Sequence, residues 1–262
     1  VWLSSIDRHR QRLAEVKKRL LVGQFGGAVG TLASLGDQGL MVQEQIMKEL
    51  DLGCPDFTWH TARDNIAEIT GLLALICGTL GKIGLDITLL AVSEINEVQE
   101  GFVPGRGSSS TMPQKRNPVV SEMLIVAAKN VRQLHGAILD AMAQDHERGG
   151  AGPWQAEWYA LPDTFIITAA ALKQALEVLS GLEINGEALR SNIDLTSGLI
   201  AAESVMMGLG PLIGRQRAHD RVQECCQAVV KQKIGFLDAL MADREISAKV
   251  SRTQLTDMIN PA

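Results

Sequence analysis

Aromatic side chains are scarce here, at 4% of 262 residues with a single tyrosine. The 46% of hydrophobic residues are therefore mostly Leu, Ile, Val, Ala and Met. Such side chains pack well between helices and are poor material for a sandwich of short strands. Cysteine is sparse too. Cys54, Cys77, Cys225 and Cys226 show no CxxC spacing, so reduced thiols in a cytoplasmic protein are expected. Metal-ligating His and Cys spacings are missing, and no metal or organic cofactor is expected. Charge of one sign is not concentrated, the formal net charge being −5. The densest basic stretch, RHRQRLAEVKKR at 8–19, is interleaved with Leu13, Val16 and Leu20. It reads as a solvated helix face, not a nucleic-acid patch. No unbroken apolar run reaches membrane-spanning length. The best candidate, GLLALICGTLGKIGLDITLLAV, is interrupted by Lys82 and Asp86 and reads as a buried core helix. Neither nucleic acid nor membrane is an expected partner.

What is present is helical rhythm. The chain opens on VWLSSIDRHR, where Trp2, Leu3 and Ile6 already recur at helical spacing with no cap before them. That opening reads as the middle of a helix, with a piece expected upstream. A glycine-rich break, GQFGGAVGTLASLG at 23–36, separates this helix from another at 37–50. From 64 to 98, Ile66, Ile69, Leu73, Ile76, Leu80 and Ile87 keep a helical period. A helix of that length is about 50 Å long and needs helical neighbours on several sides. Further helices are expected at about 118–144 and 157–180, after which the elements shorten. GLGPLIG at 208–214 is a helix–helix turn in this reading and not a dinucleotide loop, since no strand precedes it. His9 and His60 read as surface histidines. The expected fold is all-α: a long-helix bundle over 1–183 and a smaller helical domain over 184–262.

Between two of these helices lies GRGSSSTMPQKRNPVVSE, residues 105–122. Serines and glycines keep its first half from settling into a helix. Hydroxyls, the Lys115 ammonium, the Asn117 amide and the Glu122 carboxylate then follow within a short stretch. Such a set suits chemistry that makes and holds an oxyanion: a hydroxyl moves a proton, and cationic or amide N–H groups hold the charge.

The string SSTMPQKRNPVVSE (109–122) resembles the signature loop of the fumarase/aspartase superfamily, GSSxMPxKxNPxxxE, with Ser108 in place of the leading glycine. GGAVGT (26–31) and TARDNIAE (61–68) resemble two further stretches of that superfamily. The resemblance implies long helices, a homotetramer with active sites shared between subunits, and a small dicarboxylate or tricarboxylate substrate. It implies that Ser109 abstracts a proton next to a carboxylate. It assigns Ser110, Met112, Asn117 and Lys115 to substrate binding and to the aci-carboxylate intermediate. Glu122 would orient a catalytic histidine, which the superfamily carries in a Thr-His-x-Gln motif that this sequence does not contain.

Within the superfamily, the adenylosuccinate-lyase branch binds a nucleotide phosphate with several arginines. Met123, Glu157 and Ser204 stand where three of them are expected, and Pro153 replaces a serine of that branch. DHERGGAGPWQAEWYALPDTF (145–165) instead resembles the branch that closes 3-carboxy-cis,cis-muconate to 4-carboxymuconolactone in aromatic catabolism. That implies a cycloisomerase, with Arg148 as a carboxylate ligand. A fumarate-releasing C–N lyase, a non-catalytic scaffold or an inactive fragment are the alternatives. Trp154, Trp158 and Tyr159 would either line the smaller site or form one core face of a helix.

Overall fold

Helical periodicity becomes helix along most of the chain. The computed structural model describes residues 1–103, 105–107, 111–112, 114–143 and 152–260. It is all-α: among the described residues, eleven α-helices stand against one two-stranded sheet. The chain divides into two compact units, Val1–Ile184 and Asn185–Ala262.

The first unit holds α1 (Trp2–Leu20), α2 (Gly39–Glu49), α3 (Asp64–Leu90), α4 (Val119–Ala141) and α5 (Pro153–Ser180). Helices α3, α4 and α5 pack on one another, and α1 lies on α3. Ile69, Leu72, Ile76, Leu80, Ile83 and Ile87 of α3 line the core, facing Leu124 and Val131 of α4 and Ala175 of α5. Glycine lets α3 and α4 come close: a Cβ on Gly84 would lie 2.4 Å from the Ser121 carbonyl oxygen. By length and composition α3 could cross a membrane, yet half of its most apolar window is buried within the unit. Its Asp86 carboxylate accepts a 2.8 Å hydrogen bond from Trp2 Nε1 and pairs with Lys82.

Helix α3 stops short of the expected 98. At its end Ala91 N still bonds Ile87 O, but Glu97 N turns back to Leu90 O and Asn96 takes φ 51°. The chain then enters β1 (Val98–Gln99), which pairs antiparallel with β2 (Glu183–Ile184), Val98 opposite Ile184. Two residues are too few for an alternating pattern to show in sequence. Helix α5 starts earlier than expected. Pro153 occupies its first turn, where a missing N–H costs nothing, and Pro162 is carried inside the helix.

The second unit holds α6 (Gly186–Asp194), α7 (Ala202–Ile213), α8 (Arg215–Gln232), α9 (Phe236–Ala242), α10 (Arg244–Ser247) and α11 (Arg252–Ile259). Val205, Leu209, Phe236, Leu240, Ile246 and Leu255 form its core. Side chains of Asn185, Asp243 and Ser251 cap α6, α10 and α11. The turn expected at 208–214 is not where the sequence placed it. Residues 208–213 continue α7 with Pro211 inside it, and only Gly214, at φ 86° and ψ 142°, breaks the helix. A positive φ of that kind favours glycine.

Candidate active site

The ends of the polar loop are tied before its chemistry is displayed. Gly107, at φ +70°, offers its carbonyl oxygen to both Asn117 N (3.0 Å) and Asn117 Nδ2 (3.2 Å). A Cβ on Gly107 would sit 2.6 Å from Asn117 O, so no other residue fits this close approach. Arg116 forks onto the Glu183 carboxylate at 3.0 and 2.9 Å, and its Nη2 also donates to Glu100 O at 2.7 Å. The guanidinium lies over the Phe102 ring, 5.8 Å from its centroid. The hydrogen-bonded pairing holds the Glu183 carboxyl below its ordinary pKa and Arg116 above its own. Glu100 is buried at 8% exposure, and its carboxylate accepts hydrogen bonds from Ser121 N (2.6 Å) and Ser121 Oγ (2.7 Å).

Beside these ties opens a cleft of about 700 Å³. Met112, Lys115, Asn117 and Glu122 line it, together with Ser93 and Glu94 from the turn after α3. The structure thus brings four of the residues singled out in the sequence to one concavity. Glu122 is exposed in the first turn of α4, and Lys115 is exposed ahead of it. An ammonium, an amide and a carboxylate around one opening can bind a carboxylate group and hold charge that develops on it. Ser109, Ser110 and Arg148 lie outside the described residues, as does His146.

A second concavity, of about 350 Å³, joins the glycine-rich break to the Arg-Asp stretch. Gln24, Trp59, His60, Arg63 and Trp154 line it. Trp59 is fixed by its N–H to Gln24 Oε1 (3.0 Å) and its Nε1 to Gly23 O (2.9 Å). Arg63 stacks over the Trp59 ring at 5.2 Å and forks onto Glu157, with Nε to Oε1 at 2.8 Å. Sequence reasoning saw Glu157 only as a lost arginine. Here it is the partner that neutralises Arg63. Trp154 meets Trp158 edge to face at 5.3 Å. Trp158 and Tyr159 are 60% and 77% exposed, so of the two alternatives they do not form a core face within this chain. His60 Nδ1 is 3.4 Å from Thr58 Oγ1.

His9 corrects another expectation. It is buried between α1 and α3, not on the surface, with Nε2 2.8 Å from Thr79 Oγ1. Burial, and then the cations Arg12 and Arg8, pull its pKa below the ordinary 6.5. Glu100, Arg116 and Arg63 were not legible as site residues. The only signal was charge inside loops that otherwise favour neutral turn formers, and their partners lie 21, 67 and 94 positions away.

The family model described as "Lyase" matches residues 1–133 of the 262. The chain belongs to the lyase family. A second model, "Adenylosuccinate lyase C-terminus", matches residues 198–262 of the chain. It is 47% identical over 261 residues to trans-aconitate decarboxylase 1 of Mycosarcoma maydis, covering 100% of this chain and 53% of that protein. It is 45% identical over 260 residues to the 3-carboxy-cis,cis-muconate cycloisomerase of Pseudomonas aeruginosa, covering 99% of this chain and 56% of that one. Among solved structures, the 3-carboxy-cis,cis-muconate lactonizing enzyme of Pseudomonas putida superposes with a TM-score of 0.91 at 42% identity, covering 99% of this chain and 57% of that chain. The chain spans little more than half the length of the curated relatives it matches. Membership marks an enzyme lineage of the fumarase/aspartase type.

Proposed function

We propose that the whole protein is a cycloisomerase that closes 3-carboxy-cis,cis-muconate to 4-carboxymuconolactone. The observation that carries this reading is the convergence of Lys115, Asn117 and Glu122 on one cleft, in a chain 45% identical to a cycloisomerase of that substrate.

In the closing direction a substrate carboxylate oxygen adds to the distal carbon of an alkene. The electron pair of that double bond moves toward the neighbouring carboxylate and forms an aci-carboxylate. Lys115 and the Asn117 amide hold this charge, as prearranged N–H donors do for other oxyanions. The carbon then takes a proton from the Ser109 hydroxyl, and Ser109 recovers one from solvent. In reverse the same serine, as an alkoxide-like base, removes the proton and the carboxylate leaves. Glu122 orients and charges the acid–base partner, and Arg148 and Met112 complete substrate binding. Sites shared between the subunits of a homotetramer, as the superfamily resemblance implies, fit this reading. A cytoplasmic setting fits its reduced cysteines.

A second reading is favoured by the decarboxylase relative at 47% identity. Trans-aconitate and 3-carboxymuconate are both unsaturated tricarboxylates, so one cation-lined cleft suits either. Incubation of the whole protein with each compound separates the readings. Loss of the muconate absorbance without release of fumarate or CO₂ supports the cycloisomerase. CO₂ from trans-aconitate with an inert muconate overturns it in favour of decarboxylation, and fumarate from an amine bearing a 1,2-dicarboxyethyl group overturns it in favour of a C–N lyase. A Ser109→Ala variant that keeps full turnover removes the assigned base.

A further inference from the structure

Helix α4 begins without a cap of its own. Pro118 stands at its N-cap and makes no side-chain capping bond. Where helices start, a Ser, Thr, Asp or Asn side chain there ordinarily accepts from the second or third N–H. In α4 those residues are Val120 and Ser121. Both N–H groups are met by the carboxylate of Glu100, Ser121 N at 2.6 Å and Val120 N at 3.4 Å, and the Ser121 hydroxyl adds a third donor at 2.7 Å. Glu100 is nine-tenths buried. Burying a carboxylate is costly unless its oxygens are satisfied, and here helix N–H groups and the positive end of the helix dipole satisfy them.

The same residue holds a second point. Its carbonyl oxygen accepts from Arg116 Nη2, one position after Lys115 and one before Asn117. Ser121 is pressed from the other side by Gly84 of α3, whose Cα leaves no room for a Cβ against the Ser121 carbonyl. The first turn of α4 is therefore seated between α3 and Glu100, and Glu122 is the next residue along it.

We propose that Glu100 is the positioning residue of this cleft: as a remote cap it fixes the first turn of α4 under Glu122, and through Arg116 it fixes the backbone that carries Lys115 and Asn117. The kinetic part of the test rests on the proposed function, and the proteolytic part does not.

Glu100→Ala and Glu100→Gln are made in the whole protein, and trypsin cleavage after Lys115 is followed by mass spectrometry against cleavage after Lys48 in α2. Glu100→Ala accelerates cleavage after Lys115 about tenfold relative to Lys48, because the local opening equilibrium loses its cap. With 3-carboxy-cis,cis-muconate as substrate its kcat falls about 10²-fold with KM little changed, the effect of catalytic groups displaced by about an ångström. Glu100→Gln, which keeps an acceptor oxygen, stays near the parent in both readouts. Unchanged cleavage after Lys115 in Glu100→Ala overturns the proposal, and so does a Glu100→Gln as damaged as Glu100→Ala. Faster cleavage with unchanged kcat overturns the link to chemistry. If Glu100→Ala does not fold, Ser121→Ala removes one of the three donors; a several-fold rise in cleavage after Lys115 supports the cap, and no rise overturns it. A whole protein inert toward 3-carboxy-cis,cis-muconate, in which Glu100→Ala still speeds cleavage after Lys115, refutes the proposed function and leaves the positioning role standing.

Discussion

Arg63 forks across the carboxylate of Glu157, with the two side chains only 9% and 4% exposed. The residues stand 94 positions apart, so the pair joins the entry of α3 to the first turns of α5. A buried pair of this kind contributes little net stability over an apolar pair of equal shape, but removing one partner strands a charge. Glu157→Leu or Arg63→Met alone should cost about 3–5 kcal/mol, and the double variant clearly less than the sum. Urea unfolding midpoints check this. Additive single effects would show that the two side chains act independently.

Lys115 and Glu122 are exposed in the cleft, so they can be changed without unfolding the bundle. Lys115→Met should lower kcat about 10²- to 10³-fold, the loss seen when one donor to a developing oxyanion is removed. Glu122→Gln should lower it and move the acid–base pH profile, since in the proposed mechanism its charge acts on the acid–base partner. Thermal unfolding should stay within about 1–2 °C of the parent, as expected for surface changes. Steady-state kinetics and calorimetry on the same samples separate the two effects.

Two glycines of α3 should respond with opposite sign. A methyl on Gly84 meets the Ser121 backbone at 2.4 Å, whereas one on Gly78 meets nothing within 4 Å. Gly84→Ala should destabilise by about 1–3 kcal/mol through overpacking, and should slow turnover by shifting the start of α4. Gly78→Ala should stabilise by about 0.5–1 kcal/mol through helix propensity. Matching effects at both positions would contradict the close approach of α3 and α4.

His9 predicts a pH dependence. Arg12 can only donate to His9 Nδ1, at 3.2 Å, so the ring is neutral with its proton on Nε2, donated to Thr79. Its folded pKa lies below the ordinary 6.5. The unfolded chain therefore binds the proton at a higher pH than the folded one, and stability falls as pH drops below about 6.5. The fall ends only below the folded pKa. His9→Gln should flatten that part of the stability–pH curve, as read from urea midpoints across the range. A slope unchanged by the substitution would assign the acid sensitivity elsewhere.

Much of the bundle was legible because helical spacing of Ile and Leu is a local signal. Ile69, Leu80 and Ile87 fall on the core exactly as often as the 3.6-residue period demands, and they are buried. The end of α3 was not legible. Ile95 continues the apolar period, and only the backbone reversal at Asn96 reveals the stop. Pro211 misled in the opposite sense, since tertiary packing of Leu209 carries α7 past it. In the cleft, Lys115, Asn117 and Glu122 were visible because they share one short string. Glu100, Arg116 and Arg63 act through partners far along the chain, and no local pattern announces such pairings.

The anchor of the loop has a consequence in time. Arg116 waits for Glu183, 67 positions on, and Val98 for Ile184, whereas α3 ends at Leu90 and α4 begins at Val119, nearer along the chain. Non-local closures are made late because chain entropy must be lost before they form. A nascent chain leaving the ribosome can therefore build its paired helices while the rim of the cleft is still open. The anchor at Glu183 would form only once synthesis has passed residue 184, so a shorter stalled product would hold paired helices with the rim of the cleft untied.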